Sequence, residues 1–374
     1  MKKFFLRVLV FHDELKNLEL EGQDSKFSVH SLLAVPVLLE EEENALFPLR
    51  EEPLYKLLEA IEDVCKNLNF QSELHFKKIK NNGDWSREDQ ASLDALRVVL
   101  SALRHKGRRG DPESFDPESF EYPDIPPLFC RWGVLVYPQE KSYLSVIQKE
   151  EKEKALIHFE AFLRIALKGL LHYGFWGIDG YQFRVELCGV VLDGRDHLYR
   201  EISRDRVLGR LKGELRENVY IAEEAYIDYV DSDHRKSGKP LLSRMIQVND
   251  LLLGAARLFL EKLFEKEDPE DVWRFFDEVQ EKHTLRPEFR TKIAGGKRAL
   301  VAWPVVALIG KILERRERGS LKTSGHHRAF TISLVFSERG ELKFYPYQDL
   351  VDLKRLGREV PPEDAELYST FSDI

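Results

Sequence analysis

Residues 4 to 13, Phe4-Phe5-Leu6-Arg7-Val8-Leu9-Val10-Phe11-His12-Asp13, are apolar almost without interruption. A strand with one face in water alternates, so an unbroken run of this length predicts a central strand covered on both faces. Such a strand needs helices on either side of its sheet. The chain supplies them in alternation with further strands. Leu54, Leu57, Leu58, Ile61, Val64 and Cys65 recur at helical spacing, which predicts an amphipathic helix over 54 to 68. Strands are expected over 27 to 38, 181 to 193 and around 225 to 230, and helices over about 152 to 172, 204 to 217 and through Met245 to Ala256. Ser72-Glu73-Leu74-His75-Phe76-Lys77 alternates polar and apolar residues and reads as one more short strand. The expected class is α/β, with a mixed β-sheet flanked by helices.

At 374 residues the chain has room for two units. A main domain is expected over 1 to 267. It is interrupted at about 104 to 129, where the basic cluster Arg104-His105-Lys106-Gly107-Arg108-Arg109 precedes a tandem repeat, Asp111-Pro112-Glu113-Ser114-Phe115 and Asp116-Pro117-Glu118-Ser119-Phe120. From 268 to 374 a C-terminal subdomain is expected. Its parts are helices over 272 to 282 and 300 to 316, then a β-hairpin, Phe330 to Phe336 and Leu342 to Tyr345, joined by Ser337-Glu338-Arg339-Gly340-Glu341.

A formal charge of -8 argues against general coating of nucleic acid, although a local basic groove stays open. Three cysteines, Cys65, Cys130 and Cys188, have no metal-ligand spacing and are odd in number, so a reducing cytoplasm is expected, without disulfides or zinc. No signal peptide and no membrane span of roughly 18 apolar residues is expected. Two methionines and abundant charged residues resemble a thermophile's composition.

Against this background Asp250 stands out. It lies in Met245-Ile246-Gln247-Val248-Asn249-Asp250-Leu251-Leu252-Leu253-Gly254-Ala255-Ala256, a helix apolar almost all round, where an ionised carboxylate is costly without a compensating partner. Ser243, Gln247, Asp250 and Gly254 share one narrow polar stripe of that helix. Asp13 and Asp193 each end an apolar strand, at the end of a sheet where α/β proteins gather ligands. If the two strands are neighbours these carboxylates converge, and several so placed cannot all ionise without a divalent cation. Each residue has a plainer reading as well. Asp193-Gly194 is a turn pair, Glu73 fits a solvated strand position, and Asp250 could pair with a buried arginine such as Arg7.

The chain resembles the ribonuclease H-like family catalogued as domain of unknown function 3800. That family opens with a strand ending in Asp-Glu-Ser-Gly, and here His12-Asp13-Glu14-Leu15 keeps the Asp-Glu and lacks the Ser-Gly. A second element is similar to Glu73-Leu74-His75-Phe76-Lys77-Lys78. The most specific element, Leu-Gln-Leu-Ala-Asp-Leu-Leu-Leu-Gly-Ala after an Asp-Ser, is similar to Asp231-Ser232 and Ile246 to Ala255. The resemblance covers roughly 4 to 260. It implies a ribonuclease H-like sheet and an acidic site of Asp13, Glu73 and Asp250, with Asp193 joining by strand position. It further implies Mg²⁺ or Mn²⁺ as cofactor and hydrolysis of phosphodiester bonds in RNA or DNA, in a defence or toxin setting. The alternative is a non-catalytic nucleic-acid-binding or regulatory protein on the same fold.

Other motifs are less telling. Gly325-His326-His327-Arg328 has no spaced acidic or cysteine partner, and Ala294-Gly295-Gly296-Lys297-Arg298 lacks the earlier Gly and following Ser/Thr of a phosphate-binding loop. The basic runs 204 to 216, 235 to 239 and 315 to 328 are candidates for lining a nucleic-acid groove, but acidic residues interleave most of them.

Overall fold

The computed structural model describes residues 2–22, 25–41, 50–81, 84–103, 128–139, 151–175, 181–194, 201–215, 217–233, 235–265, 296–317, 330–338 and 341–346. The 104 to 127 portion of the expected insertion and the helix expected over 272 to 282 lie outside them.

The apolar opening run becomes β1 (Lys2–Leu18), and it is central as its composition requires. On one side it pairs antiparallel with β2 (Phe27–Glu41), on the other parallel with β5 (Tyr181–Asp193). The sheet has eight strands. Its order is β6-β5-β1-β2-β4-β7-β8, with the short β3 (Arg50–Glu51) beside β2. Here β4 is Arg131–Pro138, β6 is Val219–Val230, β7 is Phe330–Glu338 and β8 is Glu341–Pro346.

Alternate residues of β1 enter two different cores. Leu6, Val8 and Val10 face a layer formed by α3 (Glu151–Gly174), and Leu9 and Phe11 face helices α1 (Pro53–Asn67), α2 (Arg87–Leu103), α4 (Pro240–Glu265) and α5 (Gly296–Glu317). A mixed sheet covered by helices on both faces is therefore what the opening run predicts. Helix α4 explains its own composition, because it lies between β1, β2 and β5 on one side and α1, α2 and α5 on the others. Leu251, Leu252, Ala255 and Ala256 are fully shielded there, and each buried leucine is worth about 1.5–3 kcal/mol.

The C-terminal helix and hairpin are present, and they continue the same body. Ala299 to Val306 of α5 are packed in the core under α4, while β7 pairs parallel with β4. The 294–298 motif has a structural use: buried Lys297 Nζ donates to Asp89 Oδ2 at 2.9 Å and to the Asp84 carbonyl at 2.7 Å, tying the start of α5 to α2.

Two local expectations need correction. Residues 72 to 77 form no strand: an extended stretch ends in a 3₁₀ turn at Phe76–Lys78. The alternation is real, since Leu74 and Phe76 are buried, but the amides of Leu74 and Phe76 bond to side chains of α4 where a strand would bond to a neighbour. The helix expected over 204 to 217 shortens to a π-type turn at Asp205–Gly209 with flanking helical residues. Its cations serve packing, with Arg204 donating to the Glu223 carbonyl at 2.7 Å and Arg206 paired with Glu160 at 2.8 Å. Among the described residues no helix is long and apolar enough to cross a membrane.

Candidate carboxylate site

Parallel pairing of β1 with β5 sets the site. His12 lies opposite Leu192, so the next residues, Asp13 and Asp193, stand side by side. Asp193 ends β5 as expected, but Asp13 does not end its strand, because β1 continues to Leu18 in pairing with β2. Alternation puts both on the face of Phe11 and Val191, which is the α4 face. Asp250 comes from α4 itself. Asp13 feels the arrangement: its carboxyl is held well above the usual carboxylate range, first by burial, then by the charges of Asp250 and Asp193. The Glu14 amide, donating to Asp13 Oδ1 at 2.8 Å, opposes this in part.

Asp250 is only partly shielded, at 19% exposure, and Arg7 is not its partner. Arg7 instead pairs with Glu186 at 2.6 Å and Glu224 at 2.8 Å. Oδ2 of Asp250 accepts from the Phe76 amide at 2.8 Å and lies 2.5 Å from His75 Nδ1. Glu73 sits on the same docked segment, where Lys78 Nζ donates to its Oε2 at 2.9 Å. Asp193 and Asp250 thus both lie close enough to Asp13 for it to feel their charges, while Glu73 is held by a lysine on the bordering loop. Among the described residues, no three or more His, Cys, Asp or Glu side chains form a group arranged to hold a metal ion.

The polar stripe of α4 is a docking rail. Ser243 Oγ donates to the Asp231 carbonyl at 2.7 Å, and Gln247 Nε2 to the Ser232 carbonyl at 2.6 Å. Gln247 Oε1 accepts from the Leu74 amide at 3.1 Å. At the far end Gly254 meets the Phe76 ring so closely that an added Cβ would lie 2.0 Å from Phe76 Cγ. A side chain there would displace the loop that carries His75.

Three contributors were not singled out from the sequence. His75 bonds Asp250, and its only signal was its place in the alternating stretch. Asn249 is fully buried; its Nδ2 donates to the carbonyls of Phe11 at 3.1 Å and Ser31 at 2.9 Å, and its Oδ1 accepts from Ser31 Oγ at 2.8 Å. Asn249 so clamps α4 across β1 and β2 beside Asp13. Two adjacent polar residues on a helix point about 100° apart and must serve different partners, which was the available signal.

The third is a buried network behind Asp13, on the α3 face. His12 and His30 lie 3.1 Å apart through Nε2 and Nδ1, His30 Nε2 is 2.8 Å from the Tyr137 hydroxyl, and that hydroxyl donates to Glu14 Oε1 at 3.5 Å. Burial, reinforced by Lys16, lowers His12 to about 3, and burial with the charges of His12, His158 and Lys16 holds His30 well below its usual value. Both rings are neutral at neutral pH.

Comparison with models of protein families, with curated proteins and with solved structures returned no match.

Proposed function

We propose that this chain is a ribonuclease H-like nuclease that hydrolyses phosphodiester bonds in RNA or DNA with the help of a divalent cation. The observation that carries this reading is that Asp13 lies within charge range of both Asp193 and Asp250, its carboxyl held above the usual range first by burial and then by those two charges. Support also comes from the middle of the sheet. There the order is β4-β2-β1-β5-β6, with β5 and β6 parallel to β1 and β2 reversed, and it is the parallel β1–β5 pairing that sets Asp13 beside Asp193.

An all-oxygen donor set suits a hard cation such as Mg²⁺ or Mn²⁺. Asp13, Asp193 and Asp250 would hold it, with Glu73 as the bordering fourth carboxylate. When bound, the cation supplies activation of water and stabilisation of the leaving 3′ oxygen. The chain's own part is positional. His75 and the Phe76 amide fix one oxygen of Asp250, as outer-shell partners of ligating carboxylates do. Asn249 sets the spacing between α4 and the middle of β1 and β2, beside Asp13.

One observation favours a second reading, a nucleic-acid-binding protein without turnover. Where the family pattern places Ser-Gly, this chain has Leu15-Lys16, and β1 runs on to pair Leu15 with Val29 and Leu18 with Phe27. The two readings part in one assay. Labelled RNA, single-stranded DNA and duplexes are incubated with Mg²⁺, Mn²⁺ or EDTA, using wild type, Asp13→Asn and Asp250→Asn. Cutting that needs the ion, and drops at least ~100-fold in either variant, supports the nuclease. Binding without cutting under every condition leaves the second reading.

A further inference from the structure

A groove of about 790 Å³ opens between the C-terminal end of α1 and the start of α4, lined in part by Glu62, Lys66, Phe70, Arg235, Leu241 and Arg244. Its size is that of a small-ligand site. The geometry points to this groove as the seat for the backbone of a single nucleic-acid strand leading to the carboxylates, an assignment that rests on the nuclease reading above.

Three cations face one carboxylate there, in a chain whose formal charge is -8. A cationic groove on an acidic protein is a local field, and such fields select polyanions. Arg244 is buried and rigidly held: Nε donates to Glu62 Oε1 at 2.8 Å and an Nη to Gln247 Oε1 at 2.6 Å. Lys66 and Arg235 stand exposed at the rim. The Lys66 pair with Asp63, at 3.5 Å between exposed side chains, competes weakly with a phosphate. Phe70 and Leu241, the latter 45% exposed, offer apolar surface on which an unpaired base can lie. A duplex keeps its bases inside, so a single strand fits this lining better.

The groove and the carboxylates share a wall. The Ser72 carbonyl faces Arg244 at 3.5 Å, the Leu74 amide bonds Gln247, and His75 with the Phe76 amide engages Asp250. Six helical residues separate Arg244 from Asp250, about 9 Å at ~1.5 Å each. That span is two to three nucleotides at the ~3.4 Å rise of a stacked strand. A phosphate held at the groove therefore places the strand's next linkages at the carboxylates.

The test is fluorescence anisotropy with a fluorescein-labelled oligothymidylate of about ten nucleotides, in EDTA so that no turnover occurs. Lys66→Glu combined with Arg235→Glu is compared with wild type, with each single reversal, and with Lys56→Glu, a single charge reversal of the same size as either at the other end of α1. Thermal melts establish that all are folded. The rim double variant is expected to bind at least ~10-fold more weakly and to flatten the log–log salt slope by about 1.4, at ~0.7 per lost contact, while Lys56→Glu binds as wild type does. Unchanged affinity and slope in the double variant overturn the assignment, as does a wild type that fails to bind the strand. A wild type that binds through the rim yet cuts nothing with Mg²⁺ or Mn²⁺ keeps the groove and removes the nuclease reading, so the two fail separately.

Discussion

A half-buried carboxylate beside two others is comfortable only as the neutral acid or next to a cation, and Asp13 is in that position. Because its folded-state value lies above the unfolded one, any stability it contributes is present below the ordinary carboxylate range, near pH 4, and is lost as pH rises through the raised value. At neutral pH the wild type therefore carries a repulsion that Asp13→Asn removes. The variant is expected to melt higher than wild type at pH 7, by roughly 1–2 °C for each kcal/mol of repulsion removed, with the advantage vanishing towards pH 4. Added Mg²⁺ should close the same gap from the wild-type side. Calorimetry at the two pH values decides it, and a gap that does not change with pH would show that Asp13 is not titrating as described.

At the scale of elements, the site depends on how the 72–79 loop is seated on α4, and Gly254 is where that seating is tightest. Gly254→Ala improves helix propensity by about 1 kcal/mol in isolation. Against that it drives a Cβ into the Phe76 ring, and overpacking of this kind costs about 1–3 kcal/mol. Net destabilisation in urea unfolding is expected, relieved by Phe76→Ala in the double variant. Additive losses in that cycle would mean that the two residues do not press on one another.

The same elements show what could be read beforehand. Phe4 to Asp13 announces a strand covered on both faces because full burial leaves no polar alternation; Asp193 does end its strand, but β1 runs five residues past Asp13 because polar residues can continue the pairing with β2 beyond the core. Residues 72 to 77 were misread because period-two burial was taken to mean strand pairing, whereas the Leu74 and Phe76 amides found Gln247 and Asp250. Strand β4, buried along its whole length, and helix α2 went unassigned beside the basic and repeated segment that separates them. Asp250 is less buried than the apolar helix around it suggests. The buried member of the pair is Asn249, whose partners on β1 and β2 are fixed only by the tertiary fold.

Over the whole molecule, acid sensitivity comes from the layer opposite the carboxylates. His12 and His158 are lowered to about 3 and about 4 respectively, chiefly by burial, and His30 lies well below its usual value. Each titrates near 6.5 when unfolded, so as pH falls below that value the unfolded chain takes up protons that the folded chain refuses. Each histidine can then remove up to about 1.4 kcal/mol of stability per pH unit, beginning near 6.5 and ending at its own folded value. Asp13, Glu88 and Glu160, each raised first by burial, work in the opposite sense, but the three histidines begin to act as soon as pH falls through 6.5 and oppose folding across the whole range below it. The urea midpoint is therefore expected to fall steadily from pH 7 to pH 5, and His30→Gln should make the decline shallower. A midpoint that rises over this range would mean that the strain stored among Asp13, Asp193 and Asp250 outweighs the histidine layer, making the carboxylate site the dominant electrostatic liability of the fold.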